Sequence, residues 1–167
     1  GYGSLMWNPG FAHRRALRGM LHGSHRSLCV YSWVHRGTPE RPGLVFGLDR
    51  GGACRGLVFE VAPADRDAVQ AYLREREQVT NVYREVVRPV RLEDGRTVPA
   101  LAYVVDRKHP QYAGRLSHEA RVDLVRHGLG RSGPNPEYVI ATARHIAEIG
   151  IRDASVEALV SELIRWG

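Results

Sequence analysis

Lysine is almost absent from this chain: of its 24 basic residues, only Lys108 is one. The other cations are arginines scattered through every segment, usually beside acids, as in Arg74-Glu75-Arg76-Glu77, Arg84-Glu85 and Arg91-Leu92-Glu93-Asp94. The formal charge of +6 therefore reads as a solvated, arginine-biased surface. A nucleic-acid partner is not expected, because there is no basic run, no aromatic–basic motif and no zinc-finger spacing. Cysteine is scarce too. Cys29 and Cys54 stand alone, with no CxxC pair, which fits a reducing, cytoplasmic setting and argues against a disulfide scaffold. No apolar run approaches the ~20 residues that span a bilayer, so no membrane partner is expected. His22 and His25 lie three apart without a second ligand pair, and HExxH, Walker and dinucleotide-binding motifs are missing. Ser4 lacks a G-x-S-x-G elbow, and neither cysteine has a recognisable partner histidine.

What is present suits one globular domain of 167 residues, 43% of them hydrophobic. Phe11 to Gly19 is short and polar and reads as irregular. Leu28 to Val34 is β-branched and aromatic, a strand, and runs into a loop of turn residues from His35 to Gly43. Leu44 to Leu48 resumes the strand pattern, Asp49-Arg50-Gly51-Gly52 reads as a hairpin turn, and Ala53 to Val61 as the returning strand. Pro63 opens a helix from Asp65 to Glu77 with Val69, Tyr72 and Leu73 on one face. Tyr83 to Val90 and Val98 to Val105 form a strand pair joined by Glu93-Asp94-Gly95-Arg96. Ser117 caps a helix with Ala120 at N3. Asn135 followed by Pro136 reads as N-cap and N1 of the next, which Gly150 ends. Ser155 caps a last helix carrying Leu159, Leu163 and Trp166. The expected class is α+β, one domain over 1–167, with helices gathered towards the C-terminal end.

Two stretches could carry chemistry. The first is Gly1-Tyr2-Gly3-Ser4-Leu5-Met6-Trp7-Asn8-Pro9. Glycine permits close backbone approach to a ligand, and successive amide N–H groups in such a turn form a site for a carboxylate or oxyanion. A plain glycine turn after a strand is the other reading. The chain opens directly on this motif, so residues upstream, including a strand leading into it, are expected outside the sequence. The second is Glu77. Glu75 and Glu77 are about 200° apart around a helix, so one can face inward while the other is solvated. An inward carboxylate has its pKa raised and suits a general base that later returns the proton. A surface ladder of salt bridges with the neighbouring arginines is the alternative. Tyr138 follows a Gly-Pro loop and reads as a core aromatic, or as a site hydroxyl if that loop faces the opening motif.

Five motifs in order then resemble the ChaC-like γ-glutamylcyclotransferases. They are the opening stretch; His35-Arg36-Gly37-Thr38-Pro39 with Arg41-Pro42-Gly43; Arg55-Gly56-Leu57-Val58-Phe59; Arg76-Glu77-Gln78-Val79-Thr80-Asn81-Val82-Tyr83; and Gly133-Pro134-Asn135-Pro136-Glu137-Tyr138. The resemblance implies a compact fold around a small mixed barrel-like sheet with helices packed round it. It also implies cleavage of glutathione, a small-molecule substrate, to 5-oxoproline and cysteinylglycine without metal or organic cofactor. By position, Glu77 falls on the family's catalytic glutamate. Tyr2, Gly3, Ser4 and Leu5, with Gly1, resemble the loop that binds the γ-glutamyl head. Tyr138 falls on a tyrosine near the substrate, and Arg36 is a further candidate for holding it. The chain departs from the family at Val34, where many members have Asp, and at Asn81, where many have glycine. Another γ-glutamyl peptide or amine is the alternative substrate, and a non-catalytic γ-glutamyl-binding module the alternative class.

Overall fold

The structure is a computed structural model, and it describes residues 1–165. Its main sheet has four strands in the order β2-β1-β3-β4: β1 Arg15–Ser32, β2 Gly43–Glu60, β3 Tyr83–Leu92 and β4 Thr97–Val105. Helix α1 (Arg66–Glu77) lies between β2 and β3 in sequence, preceded by a 3-10 turn, Pro63–Asp65. After β4 come α2 (His118–His127), a two-stranded ladder of β5 (Leu129–Gly130) and β6 (Gly133–Pro134), α3 (Asn135–Glu148) and α4 (Ala154–Arg165). No helix among the described residues is long and apolar enough to cross a membrane. Trp166 lies outside the described residues.

The chain forms two compact units, and each of the two long strands contributes to both. The first unit holds residues 1–27 and 47–109. Here β3 pairs antiparallel with β4 from Tyr83↔Val105 to Arg91↔Thr97, and with β1 at Gly19↔Leu92 to Leu21↔Val90. The hairpin turn is Asp-Gly as expected, with Gly95 at φ 88°. Leu21, Leu48, Cys54 and Val90 bury one cluster of the core. Val69 and Leu73, one turn apart on α1, bury the other against Tyr103. The second unit holds residues 28–46 and 110–167. In it α2, α3 and α4 pack on one another, with Val125, Val139 and Leu159 inside.

Several local expectations are corrected. Arg15 to Gly19 is strand, the start of β1, not irregular. Asp49-Arg50-Gly51-Gly52 is no hairpin turn: β2 runs through it without reversing. Gly51 and Gly52 do adopt positive φ, 100° and 68°, and Gly23 in β1 does so at 82°. His25 Nδ1 lies 3.0 Å from Gly51 O, so the distorted stretches of the two strands face each other. The glycines thus bend a continuous ribbon instead of closing it. Asn135 does not cap α3. Its amide is fully buried, accepting from Leu44 N–H at 2.7 Å and donating to Leu44 O at 2.8 Å, which leaves Pro134 as the N-cap residue. At α4 it is Asp153, not Ser155, whose carboxylate faces the helix start, accepting from Val156 N–H at 3.4 Å and from Ser155 Oγ at 2.8 Å. Ser117 caps α2 as expected, accepting from Ala120 N–H at 3.1 Å.

The backbone at residue 81 has an unusual conformation. Asn81 is the one non-glycine described residue with positive φ, 58°, a region that Asn enters more readily than other side chains. Asn81→Gly is expected to leave stability nearly unchanged, while Asn81→Ala costs about 1–2 kcal/mol. Urea unfolding of the two variants decides this, and equal midpoints would refute it.

Candidate active site

The opening loop is held by two arginine clamps and one strand rung, all within the first unit. Gly1 and Leu57 exchange backbone hydrogen bonds, Gly1 N to Leu57 O at 2.7 Å and Leu57 N–H to Gly1 O at 3.0 Å. That is the pattern of an antiparallel pair. Gly56 makes the approach possible, since a Cβ there would stand 2.3 Å from Gly1 O. Buried Arg26 donates from Nε to Tyr2 O at 2.6 Å and from Nη2 to Arg55 O at 2.7 Å, tying loop to strand. The chain then coils into a 3-10 turn, Ser4–Met6, closed by Met6 N–H to Gly3 O at 2.9 Å. The amide N–H groups of Gly3, Ser4 and Leu5 make no hydrogen bond among the described residues. Three successive unused donors at a turn are the elements of an anion site.

The second clamp comes from the last turn of α1. Arg76 Nη1 donates to Asn8 O at 2.7 Å, Pro9 O at 3.3 Å and Tyr72 Oη at 3.1 Å, and Nη2 donates to Ser4 Oγ at 3.1 Å. Its Nε lies 3.5 Å from Glu77 Oε1. Glu77 is the final residue of that helix, its side chain only 16% exposed, while Glu75 is exposed. The helix thus turns one acid inward and leaves the other solvated. Burial pushes the Glu77 carboxyl above its ordinary value of 4.5, against the opposing pull of the Arg76 guanidinium.

Gly1, Tyr2, Leu5 and Glu77 line one cavity of about 610 Å³, enclosed mainly by apolar side chains of β1–β4 and α1. Gly3 and Ser4 are not among the lining residues; Gly3 is buried, and the Ser4 hydroxyl is engaged by Arg76. Arg36 and Tyr138 belong to the second unit and do not line the cavity either. They meet each other: the Arg36 guanidinium carbon lies 5.3 Å from the Tyr138 ring centre, and Nη1 donates to Ser132 O at 2.6 Å. Tyr138 Oη accepts from Phe46 N–H at 3.3 Å.

The cavity also has polar lining residues that the sequence did not single out, Gln70 and Tyr103. Both are held by Glu85. Tyr103 Oη donates to Glu85 Oε2 at 2.8 Å and Gln70 Nε2 to Oε1 at 2.8 Å. Arg74 completes the set with Nε and Nη2 at 2.9 and 2.8 Å from the same carboxylate. Arg74, followed by the other donors, holds Glu85 down at about 2. Burial, then Glu85, raises the Tyr103 hydroxyl, so that it stays a donor.

Fold and site together define a class: a small α+β protein whose apolar cavity confronts one dewatered carboxylate with a glycine-turn loop. Such a pocket can move a proton and steady an oxyanion. The sequence model of the ChaC-like protein family matches residues 1–165. A glutathione-specific gamma-glutamylcyclotransferase of Escherichia coli (strain K12) is 30% identical over 160 residues, covering 96% of this chain and 69% of its own. Glutathione-specific gamma-glutamylcyclotransferase 1 of Mus musculus is 32% identical, covering 96% and 74%. In structure, a yeast gamma-glutamyl cyclotransferase specific to glutathione superimposes with a TM-score of 0.89 at 22% identity, over 99% of this chain and 94% of that one. The chain belongs to the ChaC-like family.

The raised pKa of Glu77 sets the sign of a pH effect. The fold favours the protonated form, so stability is lost as pH rises from 4.5 through the raised value. Glu77→Gln is expected to be more stable than the wild type at pH 7, with the difference closing on acidification. Denaturation across pH 3–8 measures it, and a variant less stable at pH 7 would contradict it.

Proposed function

We infer that this protein is a cofactor-independent γ-glutamylcyclotransferase that converts glutathione to 5-oxoproline and cysteinylglycine. The observation that carries the mechanism is the meeting of Glu77 and the Gly1–Leu5 loop on one cavity; relatives covered over two thirds of their length support the substrate. The substrate's α-amino nitrogen attacks its own γ-carbonyl carbon. A ring C–N bond forms, and the C–N bond to the cysteinyl nitrogen breaks. One proton leaves the attacking nitrogen and one reaches the departing amine. Water is not consumed.

Glu77 is proposed for both transfers, taking the proton as a base and returning it as an acid. A raised pKa brings its two states closer in energy near neutral pH. The loop's unused amides, Leu5 foremost because it lines the cavity, would meet the tetrahedral oxygen, where one such donor is worth ~3–4 kcal/mol. An apolar cavity of this size holds the γ-glutamyl chain folded and excludes solvent, so proximity adds to the rate. Neither Cys29 nor Cys54 forms a disulfide, which supports a reducing compartment, and the cytoplasm is proposed as the place of the reaction.

Glu77→Gln should retain the fold and bind glutathione while 5-oxoproline release falls by roughly 10²–10⁴-fold, the usual weight of a general acid–base group. Undiminished release would remove Glu77 from its role. Comparison with γ-glutamyl-alanine and a γ-glutamylamine tests the substrate, with glutathione expected to be preferred.

A further inference from the structure

One cation on the cavity wall has no part in the chemistry above. Arg66, the first residue of α1, lines the cavity, is exposed, and its guanidinium makes no hydrogen bond or ion pair with any described residue. The neighbouring arginines of the same helix are engaged, Arg74 by Glu85 and Arg76 by the opening loop. Arg66, Val69, Gln70, Leu73 and Glu77 all line the cavity, a spacing that keeps them on one face of the helix. The wall therefore has a dewatered carboxylate at one end and an unengaged guanidinium at the other.

We propose that Arg66 selects the substrate by binding the terminal carboxylate of its leaving dipeptide. The proposal rests on the glutathione reading and names the group at the far end of that substrate. Arg66 and Glu77 are about three helical turns apart, on the order of 16 Å along the axis. Two extended residues beyond the scissile carbonyl span about 7 Å. About 9 Å is then left along the axis for the Glu77 side chain, which leans towards the helix N-terminus, and for the γ-glutamyl head to cover. The substrate's other carboxylate cannot be the one bound. It shares a carbon with the attacking amine, and so stays beside Glu77 when that amine does. A guanidinium also fits the group, since it grips a carboxylate through two parallel hydrogen bonds. A γ-glutamylamine, with no far carboxylate, gains nothing from Arg66.

The test compares glutathione with its analogue in which the glycine carboxylate is a carboxamide. In the wild type, the carboxamide is expected to show KM raised about tenfold with kcat little changed, the pattern of binding felt equally in ground and transition states. Arg66→Ala should raise KM for glutathione about tenfold and leave the carboxamide unaffected, so the preference disappears. Arg66→Lys should recover part of it. An Arg66→Ala enzyme that keeps the full wild-type preference would overturn the proposal while leaving the cyclotransferase reading intact. A wild type that releases 5-oxoproline from neither compound would overturn both.

Discussion

The site depends on a single guanidinium. Arg76 sits in the last turn of α1 and gathers Asn8 O, Pro9 O, Tyr72 Oη and Ser4 Oγ. It thereby fastens the end of the helix to a loop some seventy residues earlier in the chain. The residue beside it, Glu77, is brought to the same cavity as Gly1, Tyr2 and Leu5 by that fastening. Arg26 does the matching work on the other side of the loop, where it donates to the Tyr2 and Arg55 carbonyls. Hydrogen bonds to charged donors are stronger than neutral ones, so two arginines can fix a loop that has little regular structure of its own.

Arg76 also sets a balance at Glu77. It pulls the carboxyl down while burial pushes it up, and burial prevails. Its Nε is 3.5 Å from Glu77 Oε1, too long for a tight two-pronged pair, and its other nitrogens are occupied by the loop. Glu85, on β3 against the same helix, shows the opposite outcome. There Arg74 approaches with two nitrogens under 3 Å and the carboxyl is held at about 2. One glutamate is thus kept available for proton transfer and the other is locked as an acceptor that orients Tyr103 and Gln70. Distance and desolvation separate the two roles.

Much of the chain's architecture was legible because local chemistry decided it. The Asp-Gly turn between β3 and β4, the Pro63 start of the α1 region and the Ser117 cap are set by neighbours in sequence. Gly51-Gly52 misled for a tertiary reason: positive φ serves a bend as readily as a reversal, and only the β1 stretch around Gly23 and His25 reveals which. Asn135 carries the chemistry of a cap, but a strand backbone at Leu44 takes its amide. In the site, periodicity said only that Glu75 and Glu77 could not share a face, and composition left the glycine loop open to a plain turn. The family resemblance was what singled out Glu77 and that loop. Arg26 carries no local signal, being an arginine inside a strand. Gln70, Tyr103 and Arg66 belong to the cavity only because α1 lies against β4. Arg36 and Tyr138, read as substrate contacts, were found against each other.

The central claim is that the γ-glutamyl head lies between Glu77 and the glycine loop. A crystal structure of Glu77→Gln holding uncleaved glutathione tests it most directly. The account predicts the α-amino nitrogen within hydrogen-bond distance of the residue 77 side chain, and the γ-carbonyl oxygen facing the glycine loop at the Leu5 amide. A γ-glutamyl head bound anywhere else, with residue 77 touching no part of the substrate, would contradict it.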